Sequence, residues 1–370
     1  MRIARVEVYG YELTYRGEEY VMSGGRSIAS LDSTVVRVIT DDGVDGYGET
    51  CPLGGTYLAA HAEGARAALR ELAPAVIGAD VAGFGVLHDR MDAVLTGHAY
   101  AKSAIDVACW DAAAKTLGIS VSTLLGGRRL ESFPLYVAVP LGPPQAMADH
   151  AAQLRADGIT RFQLKVGDSP RVDAERVAAV LAVCGPDDVV IADANGRYTT
   201  QAGVVAARLL AGYDGVYIEQ PCPTVEACSY VRGHTDLPFV LDECIHDPAS
   251  LVHAHDLRAL EAFNLKISKV GGLTKARQMR DLAESLGLSV TIEDTWGGDL
   301  VTAAVAHLAA TTREQHLFTV SFMNDWTNEH VAGYAPRSSG GRGSAPTAPG
   351  LGIEVDLAAL GAPLQTSAQT

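Results

Sequence analysis

The sequence predicts an α/β protein: a (β/α)8-type (TIM-like) barrel preceded by a separate N-terminal α+β unit. Three observations carry this. From Phe133 onward, short apolar runs alternate with helical segments, and the runs end at Ala138, Lys165, Asp193, Glu219, Asp242, Lys266, Glu293 and Ser321, about every 25 residues. The runs are continuous and β-branched, as strands buried on both faces are. Before them, strand-like segments are followed by helix-like ones, the order of an independent α+β unit. An open doubly wound sheet is the alternative, but no strand–helix turn carries GxGxxG or GxxxxGK[ST].

In the first 60 residues, Ile3 to Tyr11 alternates, Ser33 to Thr40 forms a second strand, and Asp41-Asp42-Gly43-Val44 turns the chain into a third. A polar loop from Tyr15 to Ser30 contains Tyr20. Helical periodicity follows at Ala62 to Leu72 and Tyr100 to Leu117, with breaks expected at Pro74 and Gly78. Three domains are expected: residues 1–125, an α+β unit; 126–325, the barrel; and 326–370, a Gly- and Pro-rich segment packing back on the first unit, its last residues disordered.

The chain has 370 residues, 48% hydrophobic and 20% charged, which is ample for a large core. A formal charge of −15 argues against nucleic acid or an acidic membrane as partner. Six scattered cysteines without a CxxC pair read as free thiols, and no apolar run reaches membrane-spanning length, so a cytoplasmic protein is expected.

The chemistry is expected at the strand ends. Lys165, Asp193, Glu219, Asp242 and Lys266 close five consecutive strands, and a parallel barrel gathers such ends on one face. Three buried carboxylates repel one another unless a cation lies between them. Oxygen donors with no His or Cys suit Mg2+ rather than zinc. Glu243, next to Asp242, should point to the opposite face of its strand. Lys165 and Lys266, from strands on opposite sides of a barrel, would exchange the α-proton of a carboxylate substrate, with Mg2+ stabilising the enediolate.

These residues resemble the enolase superfamily, in particular its mandelate racemase and muconate lactonizing enzyme family. The matching pieces are Gln163-Leu164-Lys165-Val166-Gly167, Asp193-Ala194-Asn195, Ile218-Glu219-Gln220-Pro221, Leu241-Asp242-Glu243 and Lys266-Ile267-Ser268-Lys269-Val270-Gly271-Gly272. The resemblance implies a modified barrel with an N-terminal capping domain and a homo-oligomer. It also implies Asp193, Glu219 and Asp242 as Mg2+ ligands, the two lysines as acid and base, and Asn195 and Gln220 as supporting groups. Gln163 departs from the Lys-x-Lys common in that family. A neutral amide there cannot depress the pKa of Lys165 by repulsion.

Further pieces, Glu49-Thr50-Cys51-Pro52, Gly55-Thr56-Tyr57 and Asp294-Thr295-Trp296-Gly297-Gly298-Asp299, resemble members acting on proline-type amino acids, the hydroxyproline-betaine epimerases and cis-3-hydroxyproline dehydratases. They imply a small amino-acid-type carboxylate as substrate. Glu293 or Asp294 would hold its ammonium, and Tyr20, Tyr57 and Trp296 would line its site. Those relatives carry a tryptophan at the end of strand eight; here Ser321 stands there, then Phe322, with Trp326 further on. Racemisation or epimerisation by two opposed lysines is the favoured reaction. Syn-dehydration of a β-hydroxy amino acid, dipeptide or N-acylamino acid racemisation, and a catalytically silent amino-acid-binding barrel are the alternatives. A Schiff-base barrel with a phosphate site is opposed by the acidic strand ends.

Overall fold

A computed structural model describes residues 1–368. Its N-terminal sheet is antiparallel: β1 (Ile3–Thr14), β2 (Ser30–Thr40) and β3 (Asp45–Thr50). Three helices cover one face, α1 (Ala62–Val76), α2 (Phe84–Val94) and α3 (Ala99–Leu117). Gly46 and Gly48 of β3 lie so close to the α3 backbone that a Cβ at either would collide with the carbonyl oxygens of Ala108 and Ala104. Small residues on both partners therefore make this contact possible. Pro74 does not break α1 as expected. It sits in the last turn, where the lost N–H costs one hydrogen bond and the chain is about to leave the helix.

Eight parallel strands follow: β4 (Val137–Val139), β5 (Arg161–Lys165), β6 (Val189–Asp193), β7 (Val216–Glu219), β8 (Phe239–Leu241), β9 (Ala262–Lys266), β10 (Ser289–Glu293) and β11 (Leu317–Val320). Each pairs with its sequence neighbours in order. The two ends of the sheet meet through a bridge between Leu135 and Val320, where the Tyr136 N–H donates to the Val320 carbonyl at 2.9 Å. The intervening helices pack outside. Two of them matter below, α4 (Leu273–Leu286) and α5 (Asp299–Ala310).

The N-terminal unit is fixed over the barrel mouth by buried polar contacts. Glu49 of β3 accepts from the Gly298 and Val301 N–H groups at 2.9 and 3.3 Å, capping α5 with negative charge, and from Tyr11 Oη and Ser33 Oγ. Asp106 of α3 accepts from the Thr274 N–H at 3.0 Å at the start of α4. The chain end also returns here. Gln365–Ala368 form β12, antiparallel to β1, with Arg5 opposite Ala368. These residues are ordered by strand pairing, contrary to the disordered end expected; residues 369–370 lie outside the described residues. Among the described residues no helix is long and apolar enough to cross a membrane.

Candidate active site

Strand register assembles the site. Lys165 is opposite Asp193, Asp193 opposite Glu219, and Lys266 opposite Glu293. Asp242 follows β8 directly, so the three acids sit side by side, buried to within 1% of full. Lys165 Nζ lies 2.5 Å from Asp193 Oδ2, and Lys266 Nζ is in contact with Asp242 Oδ2. Lys269, one turn further on, donates to Asp242 Oδ1 at 2.9 Å.

Glu219, between the two lysine-paired acids, has no lysine of its own. Gln163 Nε2 donates to both its oxygens at 2.9 and 3.0 Å, and Asn264 Nδ2 donates to Oε1 at 2.8 Å. Gln163 and Asn264 each stand two residues before a lysine, on the same face of their strands. Asn264 was not among the residues singled out from the sequence. The repeated spacing, amide-x-Lys on β5 and on β9, was the available signal.

The electrostatics follow from these pairings. Burial, then the charge of Asp193, pushes the Glu219 carboxyl well above its usual range. Burial also disfavours the charged form of Asp242, but Lys266 and Lys269 outweigh it and hold that carboxyl low. Burial pulls both lysines down, yet Asp193 at Lys165 and Asp242 with Glu293 at Lys266 leave each raised. In this arrangement both lysines are ammonium ions, and neither is yet a base.

Could these acids hold a metal? As placed, no three Asp, Glu, His or Cys side chains among the described residues converge into a ready cage. Lys165 and Lys266 each contact one oxygen, of Asp193 and Asp242 respectively. The donor chemistry nevertheless fits a hard divalent ion, with three carboxylates on adjoining strand ends and a central one whose ionised form is disfavoured by burial and by the charge of Asp193.

The supporting residues fall in different places. Asn195, at φ 45°, donates from Nδ2 to Asp193 Oδ2 at 2.9 Å and to Glu243 Oε1 at 3.0 Å. Gln220 Oε1 accepts from the Asp242 N–H at 2.8 Å and so fixes that backbone. Glu243 does not point away, as strand alternation suggested. The strand stops at Leu241, so alternation no longer applies, and Glu243 turns toward Asn195. Burial and the charges of Asp242 and Asp193 push its carboxyl up to about 7.

The N-terminal unit closes the chamber. Tyr57 Oη donates to Asp242 Oδ2 at 2.8 Å and receives Lys266 Nζ at 3.0 Å. Tyr20 lines the Lys165 side, and burial raises its phenol to about 12. Glu293 lies 3.0 Å from Lys266 Nζ and also accepts from the Tyr136 hydroxyl, which sequence reasoning missed. Asp294 lines the chamber, but it is committed to the protein and not open to an ammonium: Ser268 and the Thr295 N–H donate to it. Trp296 is buried edge-on to Tyr20, with ring centroids 5.4 Å apart. Ser321 bonds weakly to the Met323 sulfur and Phe322 packs on Phe133, whereas Met323 and Trp326 line the chamber from the following turn. An aromatic side is therefore present after strand eight, displaced along the chain. The free space is about 30 Å3, room for a water or two.

Fold and site together define a class. The chain belongs to the mandelate racemase/muconate lactonizing enzyme family: residues 21–126 match that family's N-terminal domain and residues 146–359 the enolase C-terminal domain-like family. Among particular relatives, the cis-3-hydroxy-L-proline dehydratase of Roseibium aggregatum is 44% identical over 98% of this chain and 99% of its own. The N-succinyl-L-Arg/Lys racemase of Bacillus cereus is 29% identical over 96% of both. A mandelate racemase/muconate lactonizing enzyme from Roseovarius nubinhibens, solved in complex with magnesium, superposes with a TM-score of 0.95 at 36% identity, covering 99% of this chain and all of that one.

Proposed function

We propose that this chain is a Mg2+-dependent dehydratase of a proline-type β-hydroxy amino acid, acting by α-proton abstraction. The carrying observation is that Lys165 and Lys266 line one chamber from strands with β6, β7 and β8 between them, each paired with a different carboxylate. Asp193, Glu219 and Asp242 would hold the ion, which supplies positive charge for the substrate carboxylate and its enediolate. The whole-length likeness to a cis-3-hydroxy-L-proline dehydratase supports dehydration as the outcome.

In such a ring the hydroxyl shares a face with the carboxylate, so the α-proton lies on the other face. Loss of water is then anti, not the syn course expected from the sequence, and it suits two amines on opposite sides. One lysine, freed from its carboxylate and having given up its own proton to solvent, takes the α-proton as a neutral amine. The Cα–H bond breaks and Cα=Cβ forms, while the second lysine, as ammonium, protonates the departing hydroxyl as the Cβ–O bond breaks. Water and a cyclic enamine result. Glu293, beside Lys266 and Tyr136, is the acid open to the ring ammonium. The same two amines would give epimerisation if the second returned a proton to Cα, the reading favoured by the racemases among the relatives.

A panel of proline, the hydroxyprolines and N-methylated derivatives, with Mg2+, distinguishes these outcomes by mass spectrometry and chiral analysis. Loss of water from cis-3-hydroxy-L-proline is expected. Inversion at Cα without water loss across the panel would replace the dehydratase reading with the epimerase one.

A further inference from the structure

Trp296 is 2% exposed, and its indole lines the reaction chamber. Its orientation is fixed on several sides: Tyr20, Trp326 and Tyr15 meet it edge-on at 5.4, 5.6 and 6.1 Å. Gly297 follows at φ 152°, where a Cβ would strike Val301, so the turn after the indole admits only glycine. Yet the indole N–H, sealed from solvent, has no acceptor among the described residues. Trp110, equally buried, donates to Thr274 Oγ1 at 2.9 Å, as buried indoles ordinarily do. A buried donor left unpaired costs more than an ordinary hydrogen bond returns, so an exception calls for a reason.

Asp294 holds Ser268 and the Thr295 N–H, and Glu293 accepts from Tyr136 on one oxygen and faces Lys266 with the other; neither carboxylate accepts from the indole. A ligand in the chamber can bring the acceptor. On a protonated cyclic β-hydroxy amino acid, the ring nitrogen has no lone pair, and the carboxylate belongs with the acids and lysines. The hydroxyl oxygen is what remains.

We infer that the Trp296 N–H is the hydrogen-bond donor that recognises the substrate's ring hydroxyl, making Trp296 the residue that separates hydroxylated from plain proline rings. The inference rests on the dehydratase reading. A site built to bond a hydroxyl rejects the analogue lacking it, because its own donor is then left buried and unpaired. The same bond would share negative charge developing on the leaving oxygen while a lysine delivers the proton.

The chain has three tryptophans, so 15N-labelled protein shows three indole signals, assigned by Trp296→Phe and Trp326→Phe. In the Mg2+-loaded Lys165→Ala variant, which should bind without turnover, cis-3-hydroxy-L-proline should move the Trp296 N–H downfield and L-proline should leave it in place. Adding Trp296→Phe should weaken the hydroxylated ring roughly tenfold and proline by less than about twofold. Equal shifts with both rings, or equal weakening of both, would overturn the inference and leave only packing. If cis-3-hydroxy-L-proline binds without moving the signal, the inference fails while the dehydratase reading stands. If neither ring binds, the proline reading fails and takes the inference with it.

Discussion

Glu219 shows most clearly how single residues set the chemistry. It is the central acid of three, and neutral amides rather than lysines hold it in place. With no lysine beside it, burial and the charge of Asp193 disfavour its ionised form, while the amides keep its oxygens aligned for a cation. Asn264→Leu should therefore weaken Mg2+ activation roughly 10- to 100-fold, the range for a group that orients a ligand, read from a Mg2+ titration of activity with the fold intact by circular dichroism. Gln163 had looked like a loss, since it cannot lower the pKa of Lys165 by repulsion; its contact shows that it serves Glu219 instead. The residues of the acid and lysine series were legible because a charge at the end of an apolar strand has no packing reason. Tyr136 was not; Asn264 had only the repeated amide-x-Lys spacing to mark it, and Trp326 was noted beyond strand eight without a role. An amide, a phenol and an indole are ordinary in a core or turn, and only the fold shows what they face.

At the scale of elements, strand spacing was the readable part, because a βα unit has a nearly fixed length and each strand stops where its helix turn begins. What could not be read were departures from ideal geometry at element ends. Glu243 turned inward because β8 stops one residue before Asp242, and α1 ran on through Pro74 because a final turn tolerates it. The junction between units is set by Glu49, a buried carboxylate on the N-terminus of α5 with four donors. Glu49→Ala leaves those donors unpaired and should destabilise the protein by ~2–4 kcal/mol in urea unfolding. Glu49→Gln, which retains acceptors on one oxygen, should cost less.

For the whole molecule, His307 ties α5 to two other parts of the chain. Its Nδ1 accepts from the Ser122 N–H at 3.1 Å, and its Nε2 lies 3.0 Å from the Leu351 carbonyl, to which it donates. Burial lowers it to about 4, so the native state holds it neutral while the unfolded chain protonates near its ordinary value of about 6.5. The stability this provides is complete above about pH 6.5 and is lost as pH falls toward 4, with a slope of up to ~1.4 kcal/mol per pH unit. Urea midpoints of His307→Gln should accordingly fall less steeply than wild type over that window; parallel slopes would remove His307 as the cause. Packing of this kind holds the capping unit, barrel and chain end as one scaffold.

The central claim is that Lys165 and Lys266 act on opposite faces of one bound carboxylate substrate. It is tested most directly by proton NMR of the Mg2+-loaded protein in D2O with cis-3-hydroxy-L-proline. Wild type should eliminate water. Lys165→Ala and Lys266→Ala should each stop elimination, and at most one of them should still wash deuterium into the α-position. Full elimination by either variant, or no α-proton chemistry by wild type, would contradict the account.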